Sequence, residues 1–509
     1  MRDVLTKALA GAAGLFLASC AVGPDWVPPP DPDVSRYTPE PLRSPRADTG
    51  GPPVAQQHFV TGAEVSARWW AAFRSAPLNE LIRMSVDHNP TLQSAEAAIH
   101  QAYFNAQAQR GLFFPQVAAN YTGSGQQFSN LATLQPGDNP QLRYALHTAQ
   151  LNIAFVPDIW GLNFRAVESL DAITEQSLFQ LEAAYLALTA NVVTAAIQEA
   201  SLRGQIAATE RIIKIERDVL GILKNQFNAG QVAQVDVLTQ ETALAQVEQT
   251  LPPLQKALAI QRDLLTALAG QYSADEILEK FDLQCLTLPA NLPVSLPSTM
   301  VARRPDVRAA EAALHSAGAL VGVAIAARLP NLTFTGNPGT SAFKPVELFT
   351  PGTIFWTVTG SATQTVFDGF TLYNRQKAAE AALEQAGAVY RQTVITAFQN
   401  VADALRSLQT DARAVQAAIK AENAAKASLE IIQKQLALGQ INQVIVLTAQ
   451  QAYLNALIAR VQAQATRLAD TAALFMALGG GWPQACTTSL WRECVMEDVP
   501  APVQVTEAK

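Results

Sequence analysis

The sequence contains little charge and few reactive side chains. Of its 509 residues, only 16% are Asp, Glu, Lys or Arg, and it has five histidines and four cysteines. The histidines lack metal-ligand spacing, and CxxC, GxSxG and phosphate-loop motifs are missing, so the sequence predicts no catalytic residue, no metal and no cofactor. The net charge of −7 comes without a basic cluster, so nucleic acid is not an expected partner.

Long apolar runs are also missing after the N-terminus, although the composition is apolar. Hydrophobic residues make up 49% of the chain, and the mean hydropathy is +0.09. No run of about 20 apolar residues follows the first segment, so no transmembrane helix is predicted. An apolar chain without such a helix indicates large helix–helix interfaces, a membrane β-barrel, or both.

The N-terminus has the pattern of an export signal. A short positive segment precedes the apolar residues 8–17, so residues 1–19 are interpreted as a signal peptide and excluded from the fold. Residues 17–20 are Leu-Ala-Ser-Cys, which resembles the bacterial lipobox, where the cysteine carries palmitate-type acyl chains and begins the mature protein. Cys20 is therefore the predicted lipidation site, with an ordinary signal peptide as the alternative. The second residue of the mature chain would be Ala21. Because it is not Asp, the outer membrane is favoured over the inner membrane.

Three cysteines remain beyond the signal. Export predicts an oxidising compartment, in which disulfides persist. Cys486 and Cys494 are close in sequence and could pair, which would leave Cys285 free. Spacing alone does not fix the connectivity.

An internal duplication is the most informative feature of the sequence. Residues 88–98 and 303–313 match around a shared proline, and a second proline follows 25 residues later in each copy. Further on, Gly230 and Gly439 are each followed by Val-Leu-Thr, and the offset between copies changes only from 215 to 209 residues. Chance similarity between Ala-rich helices is the alternative. Each half has the predicted order helix, strand, loop, strand, long helix, tip, helix.

The duplication divides the chain into segments. Residues 21–65 are rich in Pro, Gly and Asp and predict an extended tether that leads away from the lipid. The predicted segments are a lipidated tether (20–65), a first repeat (66–270), a linker (271–300), a second repeat (301–482) and a C-terminal tail (483–509).

Four segments alternate small polar and apolar residues, as membrane strands do. They are Gln116–Gly125, Tyr144–Phe155, a strand that opens at Asn331–Gly336, and Thr353–Phe367. Strands of roughly 10 alternating residues suit a transmembrane barrel, and a soluble hairpin packed on helices is the alternative. Four strands cannot close a barrel, and open edges in hydrocarbon leave unsatisfied backbone groups, so other copies of the chain must complete it.

The predicted long helices are free of proline. Leu162–Asn228 and Thr371–Leu438 could each span roughly 100 Å. Apolar residues recur in them at heptad-like spacing, which indicates coiled-coil packing. These positions are Leu181, Tyr185, Leu188, Val192, Ala195, Leu202, Ile206 and Thr209 in the first helix and Val394, Phe398, Val401, Leu405, Leu408, Ala412, Val415 and Ile419 in the second.

Shorter helices are expected to return from each tip. Val235–Ala269 and Val444–Leu478 are about half as long, and Pro252-Pro253 is expected to interrupt the first of them. The helices near 91–111 and 306–328 are predicted to stack end-on with these returns.

These features together resemble the outer-membrane factor family of efflux channels, the TolC and OprM type, in its lipoprotein branch. The resemblance rests on Cys20-Ala21-Val22-Gly23-Pro24-Asp25-Trp26, Arg303-Arg304-Pro305-Asp306-Val307, Phe227-Asn228-Ala229-Gly230 and Phe367-Asp368-Gly369. It implies an α+β, mainly α fold and a homotrimer, with a twelve-stranded barrel above an α-helical barrel and an equatorial belt. It also implies a periplasmic adaptor and an inner-membrane transporter of the RND type as partners, outer-membrane lipid as surroundings, and no cofactor.

The resemblance places the functional residues at the helix tips. Gly230 and Gly439 end the long helices and permit the reversal. The family implies that adaptor tips dock around these turns, at Ala229, Gln231, Leu438 and Gln440.

The second tip departs from the family's secretion member. That member has acids where this chain has Ile445 and Thr448, so we expect an apolar constriction of Val444 and Ile445, with plain helix packing as the alternative. Asp236 matches a family acid that helps to hold the closed state, although an Asp in the first turn of a helix is also favoured by the helix dipole.

Capping and packing are the expected roles of the remaining marked residues. Asp158 and Asp368 each precede a long helix and are predicted to cap it. Trp69, Trp70 and Phe73 are expected to pack rather than to form a membrane girdle.

The predicted function is an outer-membrane exit duct for drugs or other small toxic compounds, and no enzyme. The alternatives are the outer duct of a type I protein-secretion system and, in a different class, a periplasmic lipoprotein adaptor or scaffold.

Overall fold

The computed structural model describes residues 21–30, 32–45, 52–127 and 143–480. Helices dominate this part of the chain, so the mainly helical α+β prediction is confirmed. The signal peptide, Cys20, Cys486 and Cys494 and the tail lie outside the described residues, whereas Cys285 is a free, exposed cysteine.

Eight α-helices lie in the described ranges. In chain order they are α1 (Ala76–His88), α2 (Pro90–Arg110), α3 (Leu162–Asn228), α4 (Gln234–Leu268), α5 (Pro297–Arg303), α6 (Pro305–Ala326), α7 (Thr371–Ala437) and α8 (Gln443–Ala477). The long helices α3 and α7 both have 67 residues, and the returns α4 and α8 both have 35. The predicted bounds are therefore confirmed to within one residue, and the equal lengths support the duplication.

The contacts divide the chain into two compact units. The sheet unit comprises residues up to 29 with 98–177 and 310–390, and the hairpin unit comprises 30–97, 178–309 and 391 onward. The helical hairpins of both repeats thus contribute to one unit, and the strands of both repeats to the other.

The heptad-like positions form the core of the hairpin unit. All sixteen are at least partly buried, and Phe398, Ile419 and Ile206 are the three that are not fully buried. Trp69 and Phe73 are also buried, at 2% and 0% exposure, so the aromatic cluster packs inside the protein as expected.

The proline pair in α4 does not interrupt the helix, which corrects the prediction. α4 is continuous through Pro252 and Pro253. Neither proline can donate to the carbonyl four residues earlier, at Glu248 and Gln249, and both prolines lie on the exposed side of the helix.

Three helices are apolar enough for a membrane by length and composition alone, contrary to the expectation of none. They are α3, α6 and α8. Their mean hydropathy is raised by many alanines and valines spread over several turns, and such a pattern contains no continuous run of large apolar residues. Between one third and one half of each apolar window is buried inside the protein.

The strands form two sheets. In chain order they are β1 (His58–Thr61), β2 (Gln116–Gln127), β3 (Arg143–Phe155), β4 (Asn291–Val294), β5 (Asn331–Gly336), β6 (Gly339–Ala342), β7 (Ile354–Phe355) and β8 (Val358–Thr363). β1 and β4 form a small parallel sheet, and the other six form an antiparallel sheet.

The antiparallel sheet has four long strands, two of which are interrupted. β3 pairs with β2 on one side and with β5 and β6 in succession on the other, and β8 and β7 continue the sheet. Pro338, which has no backbone N–H, separates β5 from β6. The last strand ends at Thr363, four residues before the predicted end, because its partner strand begins at Asn331 and offers no pairing beyond that point.

The described part of the predicted tether is docked against the protein. In the sheet unit, Val22 donates its N–H to the Trp160 carbonyl at 3.1 Å. Arg165, whose side chain is 3% exposed, bonds to Asp25 at 2.6 Å and to Glu168 at 2.8 Å. In the hairpin unit, β1 pairs with the linker strand β4. Hydrogen-bonding groups along this irregular segment therefore find partners within the fold.

The duplicated proline motif clamps the ends of the return helices. The Asn89 side chain donates to the Leu268 carbonyl at 3.0 Å, and the Arg304 guanidinium donates to the Ala477 carbonyl at 2.7 Å. These are the last carbonyls of α4 and α8, which have no partner inside their helices. The start of α2 and the start of α6 thus abut the ends of the returns, which confirms the predicted end-on contact.

The seat of the N-terminal segment gives a stability prediction. A Cβ on Gly161 (φ +76°) would lie 2.7 Å from the Ala21 Cα, whereas a Cβ on Gly62 (φ +80°) would have nothing within 4 Å. Both Ala substitutions incur about 1–2 kcal/mol for left-handed backbone. Gly161→Ala must also displace Ala21, so it should lower the thermal midpoint more and expose residues 21–30 to protease. Equal effects of the two substitutions would contradict this seat.

Candidate functional site

The register of the antiparallel sheet separates its residues onto an apolar and a polar face. Directly paired residues on neighbouring strands share a face. The apolar face carries Val117 and Tyr121 of β2, Leu151 and Ile153 of β3, Leu332 and Phe334 of β5, and Val358 and Ala362 of β8. The polar face carries Asn120, Thr122, Gln150, Asn152, Thr333, Thr335, Thr359 and Ser361.

The apolar face is uncovered. Val117 is 62% exposed, Leu151 43%, Phe334 46% and Val358 72%. A soluble hairpin packed on helices would bury such a face, so that alternative is wrong for the described residues. Uncovered apolar area on this scale marks a surface that meets protein or membrane.

Both edges of the sheet are open. Within the described residues, β2 pairs only with β3, and β8 only with β5. Each outer strand therefore presents a row of backbone N–H and C=O groups without a partner strand. All neighbouring strands are antiparallel, so β2 and β8 run in opposite directions.

The two helix tips have the same backbone design. Gly230 (φ +73°) and Gly439 (φ +68°) follow the long helices in left-handed conformation. Gln231 donates its N–H to the Gln226 carbonyl at 2.9 Å, and Gln440 donates to the Gln435 carbonyl at 3.0 Å. This bond pattern satisfies the last helix carbonyls and reverses the chain, as predicted for the two glycines.

The return helices begin with complementary caps. At the first tip, the Asp236 carboxylate accepts the Ala233 N–H at 3.2 Å. At the second tip, the equivalent residue is Ile445, and the Asn442 side chain accepts its N–H at 3.3 Å. Each repeat thus keeps one half of a capping box. Asn442 therefore supplies a cap at a tip where the acid is missing.

The other predicted tip residues are all exposed. Val444 is 56% exposed and Ile445 43%, and Thr448 lies on the same side of α8. The four predicted adaptor contacts, Ala229, Gln231, Leu438 and Gln440, are exposed as well. Their side chains are thus available to a neighbouring chain or partner, and their roles stay predictions.

Asp158 and Asp368 cap the long helices as predicted. Asp158 accepts the Phe164 N–H at 2.7 Å, and Asp368 accepts the Leu372 N–H at 2.8 Å. Both acids lie outside the cap position itself, since α3 begins at Leu162 and α7 at Thr371.

A buried polar network near the tips was missed by the sequence analysis. The Gln240 amide donates to the Glu216 carboxylate and accepts from Gln443 at 2.7 Å. Burial raises the pKa of Glu216, and the Gln240 hydrogen bond opposes this rise. The three residues lie on α3, α4 and α8 at positions with core spacing. A polar residue within an apolar helical stripe was the available signal.

A buried pair of carboxyl groups links α7 and α8, and it was missed as well. Asp411 is 8% exposed, and its neighbouring carboxyl group is that of Asp470. Burial first, and the neighbouring Asp470 second, raise the pKa of Asp411 to about 7, while Arg467 opposes the rise. No group of three or more His, Cys, Asp or Glu in the described ranges is placed to hold a metal.

Comparisons with known proteins identify the class. The profile of the outer membrane efflux protein family matches residues 81–271 and 296–480. The chain belongs to this family.

Individual relatives agree along nearly the whole chain. OprJ of Pseudomonas aeruginosa, an outer membrane protein, is 27% identical over 92% of this chain and 95% of its own length. OpmQ of Pseudomonas putida, a pyoverdine export outer membrane protein, is 27% identical over 82% of this chain and 88% of its own.

Solved structures share the fold. The outer-membrane channel OprN aligns with a TM-score of 0.80 at 25% identity, over 91% of this chain and all of that one. The CmeC outer membrane channel of Campylobacter jejuni aligns with a TM-score of 0.82 at 20% identity, over 94% and 98%. The protein is an outer-membrane efflux channel, and the adaptor or scaffold alternative is wrong.

The carboxyl pair gives a pH prediction. Because the folded pKa of Asp411 is raised, its contribution to stability is complete below pH 4 and is lost as the pH rises to about 7. The thermal midpoint should therefore fall between pH 4.5 and 8. Asp411→Asn should reduce that fall, and burial also raises the pKa values of Glu182, Glu216 and Asp470, which leave part of the fall in place. Asp403→Asn, an exposed residue of the same helix, is the control. A fall of equal size in the wild type and in Asp411→Asn would refute the assignment.

Proposed function

We propose that three copies of this chain form a twelve-stranded barrel in the outer membrane, continued by helical walls in the periplasm. The observation that carries the proposal is an amphipathic sheet with an uncovered apolar face and two open edges. In hydrocarbon, each unpaired backbone group costs several kcal/mol, so the edges must be paired. Further copies of the same chain supply matching edges.

The strand directions permit this closure. Because β2 and β8 run in opposite directions, β8 of one copy can pair antiparallel with β2 of the next. The pattern then repeats around a ring, and the strand number stays even, as in bacterial outer-membrane barrels. In this ring the apolar face meets lipid and the polar face lines the pore.

The proposed cargo is drugs or other small toxic compounds. Relatives include an antibiotic efflux pump outer membrane protein and a toluene efflux pump outer membrane protein, both from Pseudomonas putida. The duct would receive cargo from an inner-membrane transporter of the RND type through a periplasmic adaptor that contacts the exposed tips. It needs no cofactor and performs no catalysis.

Lipidation of Cys20 would anchor the trimer to the outer membrane. The support is the lipobox pattern before Cys20 and the seat of Ala21 against Gly161 in the sheet unit. Acyl chains add membrane affinity of about 0.8 kcal/mol for each buried methylene.

Substitutions of two neighbouring residues in β8 test which face of the sheet meets lipid and which lines the pore. Val358 and Thr359 are both exposed but lie on opposite faces of the sheet. Val358→Arg places a charge toward lipid at a cost of up to about 2–4 kcal/mol, so assembled trimer in outer-membrane extracts should fall. Thr359→Arg faces the proposed pore, so it should assemble normally and change ion selectivity. Equal assembly of both variants would contradict the assignment of the faces.

Efflux is tested in the cell and in bilayers. Deletion of the gene should raise susceptibility to several unrelated drugs, and re-expression should restore resistance. The purified trimer should conduct in planar bilayers. If deletion instead abolishes export of one secreted protein and leaves drug susceptibility unchanged, the type I secretion alternative is correct.

Substitutions at the helix tips test the proposed gate of Val444 and Ile445. Ile445→Ser keeps the Asn442 cap, which bonds the backbone, but makes the constriction easier to wet, so single-channel conductance should rise and drug susceptibility should change. Asp236→Asn keeps an oxygen for the Ala233 N–H and removes the charge, which separates capping from a charge-based lock. Unchanged conductance in Ile445→Ser would rule out the apolar gate.

A further inference from the structure

An apolar pocket of about 430 Å³ lies at the base of the antiparallel sheet. It is entirely within the sheet unit, where β2, β3 and β5 meet α2, α3 and α6. Its volume is in the range of about 300–1,000 Å³ that is usual for small-molecule sites. The apolar walls include Leu112, Phe114, Val156, Trp160, Leu162 and Leu332.

Two polar side chains of these walls have hydrogen-bond partners within the protein. The Trp160 indole N–H donates to the Pro330 carbonyl at 2.8 Å, and the Asp158 carboxylate accepts the Phe164 N–H at 2.7 Å. The pocket therefore presents mostly hydrocarbon to an occupant. No Lys or Arg is among its lining residues, so it offers no cation to a phosphate.

A buried polar atom in the wall lacks a partner among the described residues. Asn163 is 8% exposed, and its side-chain oxygen accepts from the Gln109 amide at 2.7 Å. Its Nδ2 is buried and has no hydrogen-bond partner among the described residues. A buried donor without an acceptor is destabilising, because it has lost its hydrogen bonds to water and gained none. An occupant with a carbonyl oxygen would remove that destabilisation.

The start of the described chain is seated beside this pocket. Val22 bonds to the Trp160 carbonyl at 3.1 Å, and Ala21 lies against Gly161. Trp160 and Leu162, the two neighbours of Gly161, both line the pocket. Cys20 immediately precedes Ala21 in the chain, and neighbouring Cα atoms are about 3.8 Å apart. Ala21, the residue that follows Cys20 in the chain, is thus seated beside the pocket.

We propose that this pocket holds one acyl chain of lipid-modified Cys20, with the Asn163 Nδ2 donating to an ester or amide carbonyl at the head of that chain. The proposal rests on the lipidation of Cys20 proposed above. The covalent link gives the chain a high effective concentration at the pocket, which a free phospholipid does not have. The lack of a cation in the lining also disfavours a phospholipid headgroup.

The consequence concerns structure more than membrane affinity. An acyl chain in the bilayer is already in hydrocarbon, so its transfer into the pocket adds little apolar free energy. What it adds is a partner for Asn163 and a fixed position for the first residues of the mature chain. Acylation should therefore stabilise the protein itself.

Photo-crosslinking of the full-length protein in native outer membranes tests the occupant. Cells are grown with a palmitate analogue that carries a diazirine and an alkyne, irradiated, and analysed by peptide mass spectrometry. We expect crosslinks between the acylated Cys20 peptide and peptides that contain pocket residues. Ala327→Trp, at an exposed position of the pocket wall, should abolish these crosslinks, and Ala108→Trp, exposed but outside the pocket, should leave them unchanged.

The outcomes separate the two proposals. An unmodified Cys20 peptide would refute lipidation itself. An acylated Cys20 peptide that crosslinks only to lipid, or pocket peptides that crosslink to a free phospholipid, would overturn the pocket proposal and leave lipidation intact.

Thermal stability provides a second readout. The acylated protein should have a higher thermal midpoint than a Cys20→Ser form exported with a non-lipoprotein signal. Asn163→Leu should shrink that difference, because the carbonyl then loses its donor. An identical midpoint for the acylated and unacylated proteins would contradict the proposal.

Discussion

The open hydrogen-bonding edges of one four-stranded sheet constrain the rest of the molecule. A strand that ends a sheet must be covered, blunted or paired, and in hydrocarbon only pairing is available. The edge strands β2 and β8 carry no proline and no charged side chain that would discourage pairing. Edge strands without these protective features are suited to pair with a further strand.

The duplication explains why the chain can supply such a sheet and the helices beside it. Each repeat gives one long helix and one return of about half its length, so a second short helix is needed to match the long one. Asn89 and Arg304, at equivalent places in the two repeats, fill that junction by bonding the last carbonyls of α4 and α8. Two different side chains thus perform the same task, since either an amide or a guanidinium can donate to a carbonyl.

Local periodicity was enough to predict the helices but not what lies between them. The 67-residue helices were predicted to within one residue because apolar spacing runs through them without a proline. The end of the last strand was placed four residues too late because strand length depends on its partner, which is set by tertiary pairing. The Asp411–Asp470 pair was missed for the same reason, since a sequence shows that a residue falls on a core stripe but not which side chain faces it. Of the two caps, the sequence pointed only to Asp236, because an acid in the first turn of a helix is a known pattern. The equivalent residue in the second repeat is Ile445, so the cap supplied there by Asn442 was not predicted.

Closure of the sheet by neighbouring copies is tested most directly by disulfide formation between its two edges. The native cysteines are first removed by Cys285→Ser, Cys486→Ser and Cys494→Ser. Each test variant then carries two new cysteines, one in place of Thr122 of β2 and one in place of Thr359, Ser361 or Thr363 of β8. A variant with cysteines in place of the directly paired Asn120 and Gln150 is the intramolecular control. Closure predicts that at least one edge pair oxidises to covalent dimers and trimers in native outer membranes, while the control pair yields monomers. Only monomers across the whole edge series, with the control pair fully oxidised, would contradict closure by other copies of the chain.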